Sequence, residues 1–320
     1  MADRFDRFEE TKKSLGSVNA LTRFERWSSP HTHPGLSITR LAAQKLRVLA
    51  LFGIRRLVQG SGRADALTGM QSLAGFAKGR DVLVLASGPS ANSINTREVA
   101  KRQKAGELVV VATNYFLQSP LAKTIAPDFL IWSDRIFHPR HRSENPSWDQ
   151  LAETSGVRVV SPWTWRKHIP AEFKDRVVFF DDDTLEGWSK NISPMNPRGY
   201  QGTTGTKAIA FANHLNPRQV FLLGLDLSYF KNFAVDENNR VLRNPTHLAG
   251  TDSGSQDITH NSVHGLADSL YSTANQFLHL HTLFGGVNVV NLDPGSLVDA
   301  FPKVTSHALV KKQPSKAAKN

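Results

Sequence analysis

The chain contains no cysteine among its 320 residues. Disulfides, thiolate metal sites and a cysteine nucleophile are therefore excluded, and the composition suits a reducing compartment. No stretch approaches the roughly 18 uninterrupted apolar residues of a membrane span. Met1 to Lys13 alternates charged and polar residues without the apolar centre of a secretory signal. The expected location is the cytoplasm, either free or peripheral on the inner face of the membrane. The sequence also lacks internal repeats, the three spaced glycines of a dinucleotide fingerprint and the Gly-Lys-Ser/Thr of a P-loop.

A hydrophobic content of 40% allows a full core, in one large domain or two small ones. The formal charge of +11 is unevenly spread. Residues 1–80 hold 14 Lys/Arg against 6 Asp/Glu, and residues 303–320 hold five lysines and no acid, which leaves −2 for residues 81–302. A nucleic-acid-binding core is itself basic, so no nucleic-acid partner is expected. Basic flanks fit an anionic lipid surface or a solvated, solubilising tail.

Residues 1–80 read as a basic extension carrying one helix, Leu41 to Val58, broken at Gly60-Ser61-Gly62. That helix either packs on the core or lies on a membrane surface. From residue 81 the pattern becomes regular. Apolar runs at 82–85, 108–112, 128–132, 157–160, 177–180, 219–223 and 287–291 read as strands, continuous enough to be buried on both faces. Helical segments are expected at 96–104, 206–214 and 263–284. The fold class is α/β, a Rossmann-like, mostly parallel sheet with helices on both faces. The polar excursion 231–262 is long for a connection and reads as a lid. Residues 303–320 read as a basic disordered tail.

Three strand ends carry small hydrogen-bonding residues, at the edge where open α/β sheets bind ligands. After the first strand come Ser87, Gly88, Pro89 and Ser90, which suit phosphate or sugar oxygens or a plain strand-to-helix turn. Asn114 ends the second strand, positioned to read a base or ribose or to stabilise the turn. Thr203, Thr204, Gly205 and Thr206 open a helix, where capping and phosphate contact use the same groups. Asp226 closes the sixth strand. Asp181-Asp182-Asp183 reads either as a magnesium collector or as a solvated acidic turn. His260 and His264 stand four apart after the lid. The spacing suits a general base or a metal pair, but Asn261 stands where a zinc hydrolase carries Glu and no third ligand is evident. His279 and His281 read as helix surface and packing.

Taken in order, these motifs resemble the bacterial lipooligosaccharide sialyltransferases of glycosyltransferase family 42. The family's first loop, Gly-x-Gly-Pro-Ser, corresponds to Ala86-Ser87-Gly88-Pro89-Ser90, and its Asn-aromatic strand end to Asn114-Tyr115-Phe116. Its Thr-Ser-Gly turn and Gly-Ile-Asp strand end correspond to Thr203-Thr204-Gly205 and Gly224-Leu225-Asp226. Its late histidine pair falls on His260 and His264, and its closing Pro-Asn-Ser-x-Leu on Pro294-Gly295-Ser296-Leu297. The likeness spans about residues 81–302. Ala86 and Ser87 stand where the family has Gly and Asn. Tyr229 lies near the first of the family's two phosphate-stabilising tyrosines, and nothing matches the second. The broad fold also resembles the hydroxymethylpterin diphosphokinase-like group and related flagellin-modifying proteins.

The resemblance implies an inverting transfer of sialic acid, or a related nonulosonic acid, from a CMP-sugar donor to a glycan acceptor. It implies no obligatory metal or cofactor. His264 would be the base, Thr203, Thr204 and Gly205 would hold the phosphate, and Tyr229 would donate to it. Ser87, Gly88, Ser90, Asn114 and Asp226 would complete the nucleotide site. Self-association is left open. The rival readings are a magnesium-dependent diphosphokinase and a non-catalytic nucleotide-binding protein of envelope assembly.

Overall fold

The computed structural model describes residues 38–183, 191–197, 203–228, 231, 233–238, 240–243, 256–257 and 266–309. Helix α1 (Ile38–Ser72) runs 35 residues. It passes through Gly60-Ser61-Gly62 without the expected break. Each glycine costs a helix about 1 kcal/mol, and tertiary anchoring on both sides of them offsets that cost. On the far side Ala66, Leu67 and Met70 are buried. Beside the break, Arg56 and Arg63 pair with Asp181. Before that break, the side chains of Leu46, Leu51, Ile54, Leu57 and Val58 are all exposed, Leu57 by 85%.

Strand β1 (Asp81–Leu85) is buried at every position, as is β2 (Leu108–Thr113). Between them lies α2 (Thr96–Lys104), whose N-cap Asn95 accepts from the Glu98 amide and whose last turn carries Lys101, Arg102 and Lys104. Both features complement the helix dipole. Then follow β3 (Phe129–Ile131), α3 (Ser147–Glu153), β4 (Arg158–Pro162) and β5 (Val177–Phe180). Helix α4 (Thr204–His214) leads to β6 (Gln219–Leu223). The excursion forms β7 (Phe233–Val235), β8 (Val241–Arg243) and β9 (Gln256–Asp257), a small antiparallel sheet. Helix α5 (Leu266–Phe284) and β10 (Val289–Asn291) follow.

The main sheet has seven parallel strands in the order β10-β6-β1-β2-β3-β4-β5, the α/β architecture expected. Alternate residues of each strand point to opposite faces, and so there are two cores. Val82, Val84, Val109 and Val111 face Met70 of α1, Phe211 of α4 and Leu280 of α5. Leu83, Leu85 and Val110 face Val99 of α2 and Trp148 and Leu151 of α3. The core extends beyond residues 81–302, reaching back to Ala66 and forward to Val304 and Leu309. Among the described residues no helix is long and apolar enough to cross a membrane.

Candidate functional site

The chain runs outward from β1 to β5, then crosses back to place β6 on the other side of β1. This reversal opens a crevice at the carboxyl ends of β1 and β6, the position where open α/β sheets take ligands. The register is level: Leu85 lies opposite both Ala112 and Leu223, and Thr113 opposite Ile131. The loops after β1, β2, β3 and β6 therefore start at one height. Together with the start of α4 they bound a cleft of about 160 Å³.

The β1 and β6 loops meet main chain to main chain. The Ala86 amide donates to the Leu223 carbonyl at 2.8 Å, and the Gly88 amide to the Gly224 carbonyl at 2.8 Å. Glycine is required at both places. A Cβ at Gly88 would collide with the Asp226 carboxylate and, at 2.5 Å, the Gly224 carbonyl. Gly224 itself has φ +82° and sits against the Ala86 carbonyl. Ser90 clamps the junction from behind. Its hydroxyl donates to Asp226 and accepts from the Gly224 amide at 3.1 Å, while its amide donates to Asp226 at 3.3 Å.

Asp226 lines the cleft. Burial pushes its carboxyl above the ordinary value; the two bonds from Ser90 oppose the shift, and Asp293 adds to it. Beyond it Leu227 has φ +46°, a costly backbone for a residue with a bulky side chain.

Asn114 adopts φ +51° at the end of β2, a left-handed conformation that asparagine tolerates better than most residues. The Trp132 indole donates to its carbonyl at 3.0 Å. The Asn114 side-chain oxygen is buried without a hydrogen-bond partner among the described residues. Beside it, the Thr113 and Ser87 hydroxyls share a bond of 3.0 Å.

At the opposite wall Thr203 caps α4, its hydroxyl accepting from the Thr206 amide at 3.3 Å. The first amides of a helix have no carbonyl to accept them within it; in α4 these include the amides of Thr204 and Gly205, both of which line the cleft with Thr203. A relay of side chains braces this end. Lys207 donates to Ser133 at 3.0 Å, and Thr204 donates to Asp134 at 3.3 Å. The 2.8 Å contact between Ser133 and Thr204 must then use the Ser133 proton, since a hydroxyl has only one to give.

The cleft thus brings together Ser87, Gly88, Asn114, Thr203, Thr204, Gly205 and Asp226, with Ser90 behind its floor. Tyr229, His260 and His264 lie outside the described residues. Thr113, Asp134 and Ser228 also line the cleft, and Ser133 and Lys207 support it. Sequence reasoning missed four of these, Ser133, Asp134, Lys207 and Ser228. The available signal was Ser133-Asp134 closing a third strand with the same small polar chemistry as the other strand ends.

The acidic triplet is not a solvated turn. The Asp181 side chain is 0% exposed and accepts from Arg56 and Arg63 at 2.5 Å each; Arg56 also reaches Asp183 at 3.1 Å. Asp182 accepts from Thr164 at 2.8 Å. Burial, then neighbouring Asp183 and Asp181, raise its carboxyl above the ordinary value against that hydrogen bond. The triplet anchors α1 to the end of β5. Among the described residues, no group of three or more His, Cys, Asp or Glu could hold a metal ion.

Among solved structures, the chain is similar to the MAf glycosyltransferase from Magnetospirillum magneticum AMB-1, with 16% identity and a TM-score of 0.44. The match covers 76% of this chain and 38% of that one, so this chain spans well under half the length of that protein. No family model matches the chain, and no curated protein matches it.

Proposed function

We propose that the chain is a glycosyltransferase that moves a sugar, sialic acid or a related nonulosonic acid, from a CMP-activated donor to a glycan acceptor. The observation that carries this reading is the convergence of four strand-end loops and the α4 N-terminus on one cleft at the topological switch point. The ordered likeness to the family 42 sialyltransferases supplies the donor and the roles.

In this reading Asn114 offers the base or ribose its unpartnered amide oxygen, and Ser87 and Gly88 line the nucleotide. Thr203, Thr204 and Gly205, with the first amides of α4, take the phosphate, whose charge grows as the glycosidic bond breaks. Tyr229 donates to that phosphate, and His264 removes the acceptor hydroxyl proton in an inverting displacement. His260 is its neighbour in the pair. The rival magnesium-dependent reading loses one of its anchors, because Asp181 already satisfies two arginines.

The test is release of CMP from CMP-sialic acid, with and without EDTA, in the presence of glycan acceptors. Release that survives EDTA supports the proposal. No release from any nucleotide sugar, or release of AMP from ATP only when magnesium is present, overturns it.

We also propose peripheral contact with anionic membrane. Residues 38–63 contain six Lys/Arg and no acid, and on α1 they accompany the exposed aliphatic side chains Leu46, Leu51, Ile54, Leu57 and Val58. A basic helix with an exposed apolar face fits a lipid surface.

A further inference from the structure

The turns that leave β3 and β4 gather three imidazoles. His138 separates the short turns Arg135–Phe137 and Pro139–His141. Its ring lies 5.0 Å from that of His168, 6.5 Å from His141 and 5.1 Å from Trp165, measured between centroids. All three histidines are half-buried. Segments 135–142 and 163–168 also contain four arginines and a lysine, and no acid.

Some of this charge is already engaged. Arg142 binds Asp149 at 2.7 Å and Glu172 at 3.0 Å; Arg166 donates to the Gly62 carbonyl at 3.1 Å; His141 meets Glu144 at 3.3 Å. Arg135, Arg140 and Lys167 are exposed, and their side chains have no hydrogen bond or ion pair with the described residues. The His138 Nδ1 accepts from the Arg140 amide at 3.1 Å, which places the proton of the neutral ring on Nε2. Burial first, then His168, Arg140, His141 and Arg135, hold His138 below the ordinary imidazole value. Arg135 and Arg140 thus place positive charge beside His138, and among the described residues neither is paired with a carboxylate.

The cluster is continuous with the cleft. Asp134 lines the cleft and directly precedes Arg135. The Phe137 ring, next to His138, packs 4.8 Å from that of Tyr115, which follows Asn114.

We propose that His138, His141 and His168, with Arg135 and Arg140, form a subsite for a phosphate or carboxylate group of the acceptor, so that the enzyme acts on an anionic glycan. That this group belongs to the acceptor rests on the transferase reading; the oxyanion site does not. Two guanidinium groups and the His138 Nε2 donor, joined by the ring N–H groups of His141 and His168 in their imidazolium forms, match the oxygens of such a group, and charge-assisted bonds to them are the strong ones. Anion binding favours the imidazolium form, so affinity rises as pH falls through the histidine range.

The experiment follows the histidine ring-proton resonances of the full chain while inorganic phosphate or, separately, acetate is added, with CMP binding measured in parallel. Saturable shifts of His138 and His168, with the His138 midpoint raised, are expected from at least one anion, and the responding anion identifies the acceptor group. Arg140→Gln, an exposed substitution, should weaken that response about tenfold or more and leave CMP affinity unchanged. Absence of saturable shifts with both anions, or an unchanged response in Arg140→Gln, overturns the subsite. Failure of CMP to bind while the anion response persists removes the acceptor assignment and leaves the oxyanion site standing.

Discussion

Ser90 and Asp226 join the two central loops of the sheet: the serine hydroxyl donates to the carboxylate and accepts from the amide of Gly224. Asp226 is held above the ordinary carboxylate value, chiefly by burial. The folded state therefore binds this proton more tightly than the unfolded chain does. The group's contribution to stability is full below the unfolded value and is lost as pH rises through the folded one. Asp226→Asn removes the ionisation and keeps an acceptor for Ser90. Its urea midpoint should fall less than that of the parent as pH rises out of the acid range. Parallel pH dependence in the two proteins would contradict a buried, destabilised carboxylate.

Removing both Arg56 and Arg63 leaves Asp181 buried and uncompensated. Breaking buried pairs of this kind costs about 3–5 kcal/mol. The Arg56→Met, Arg63→Met protein should lose stability on that scale in urea unfolding, and adding Asp181→Asn should recover a large part of it. A loss below about 0.5 kcal/mol, the size of a surface change, would show that the pairs do not anchor α1.

The strands of the main sheet were legible because a central parallel strand is apolar on both faces, as in Val82–Leu85 and Leu108–Ala112. The continuity of α1 was not. Gly60-Ser61-Gly62 is a local break signal, and what overrides it lies far along the chain, in Asp181 and the packing around Met70. Asp181 was misread for the same reason, since its partners precede it by 118 and 125 residues. The cleft was readable from three loops of similar chemistry. Lys207 was not, because nothing local tells a lysine that reaches Ser133 from a solvated one. Strands β7 to β9, two or three residues each, are too short to show alternation.

If α1 and the basic flanks dock on lipid, sedimentation with vesicles should require anionic lipid and weaken steeply with salt. Replacing Leu57 and Val58, exposed by 85% and 82%, with Ser should reduce binding without lowering stability. Equal partition to neutral and anionic vesicles would leave the charge with only a solubilising role.

His264 and His260 separate by rate. His264→Ala should lose roughly 10²–10⁴-fold in kcat, the usual contribution of a general base, and keep its affinity for CMP. His260→Ala should be milder. The acid limb of the parent's rate profile should report a group titrating near neutrality. Near-normal kcat in His264→Ala beside an inactive His260→Ala would reverse the assignment, and two active variants would remove the proposed chemistry.

The most direct test of the central claim is calorimetric titration of CMP, UMP, GMP and ATP, with and without magnesium, into the parent and Asn114→Gly. Glycine accepts the φ of +51° without strain, so this substitution removes the amide and leaves the turn in place. The account predicts that CMP binds the parent without magnesium and that Asn114→Gly loses about 1–3 kcal/mol of that binding. Equal CMP affinity in the two folded proteins, or binding of ATP alone and only with magnesium, would contradict it.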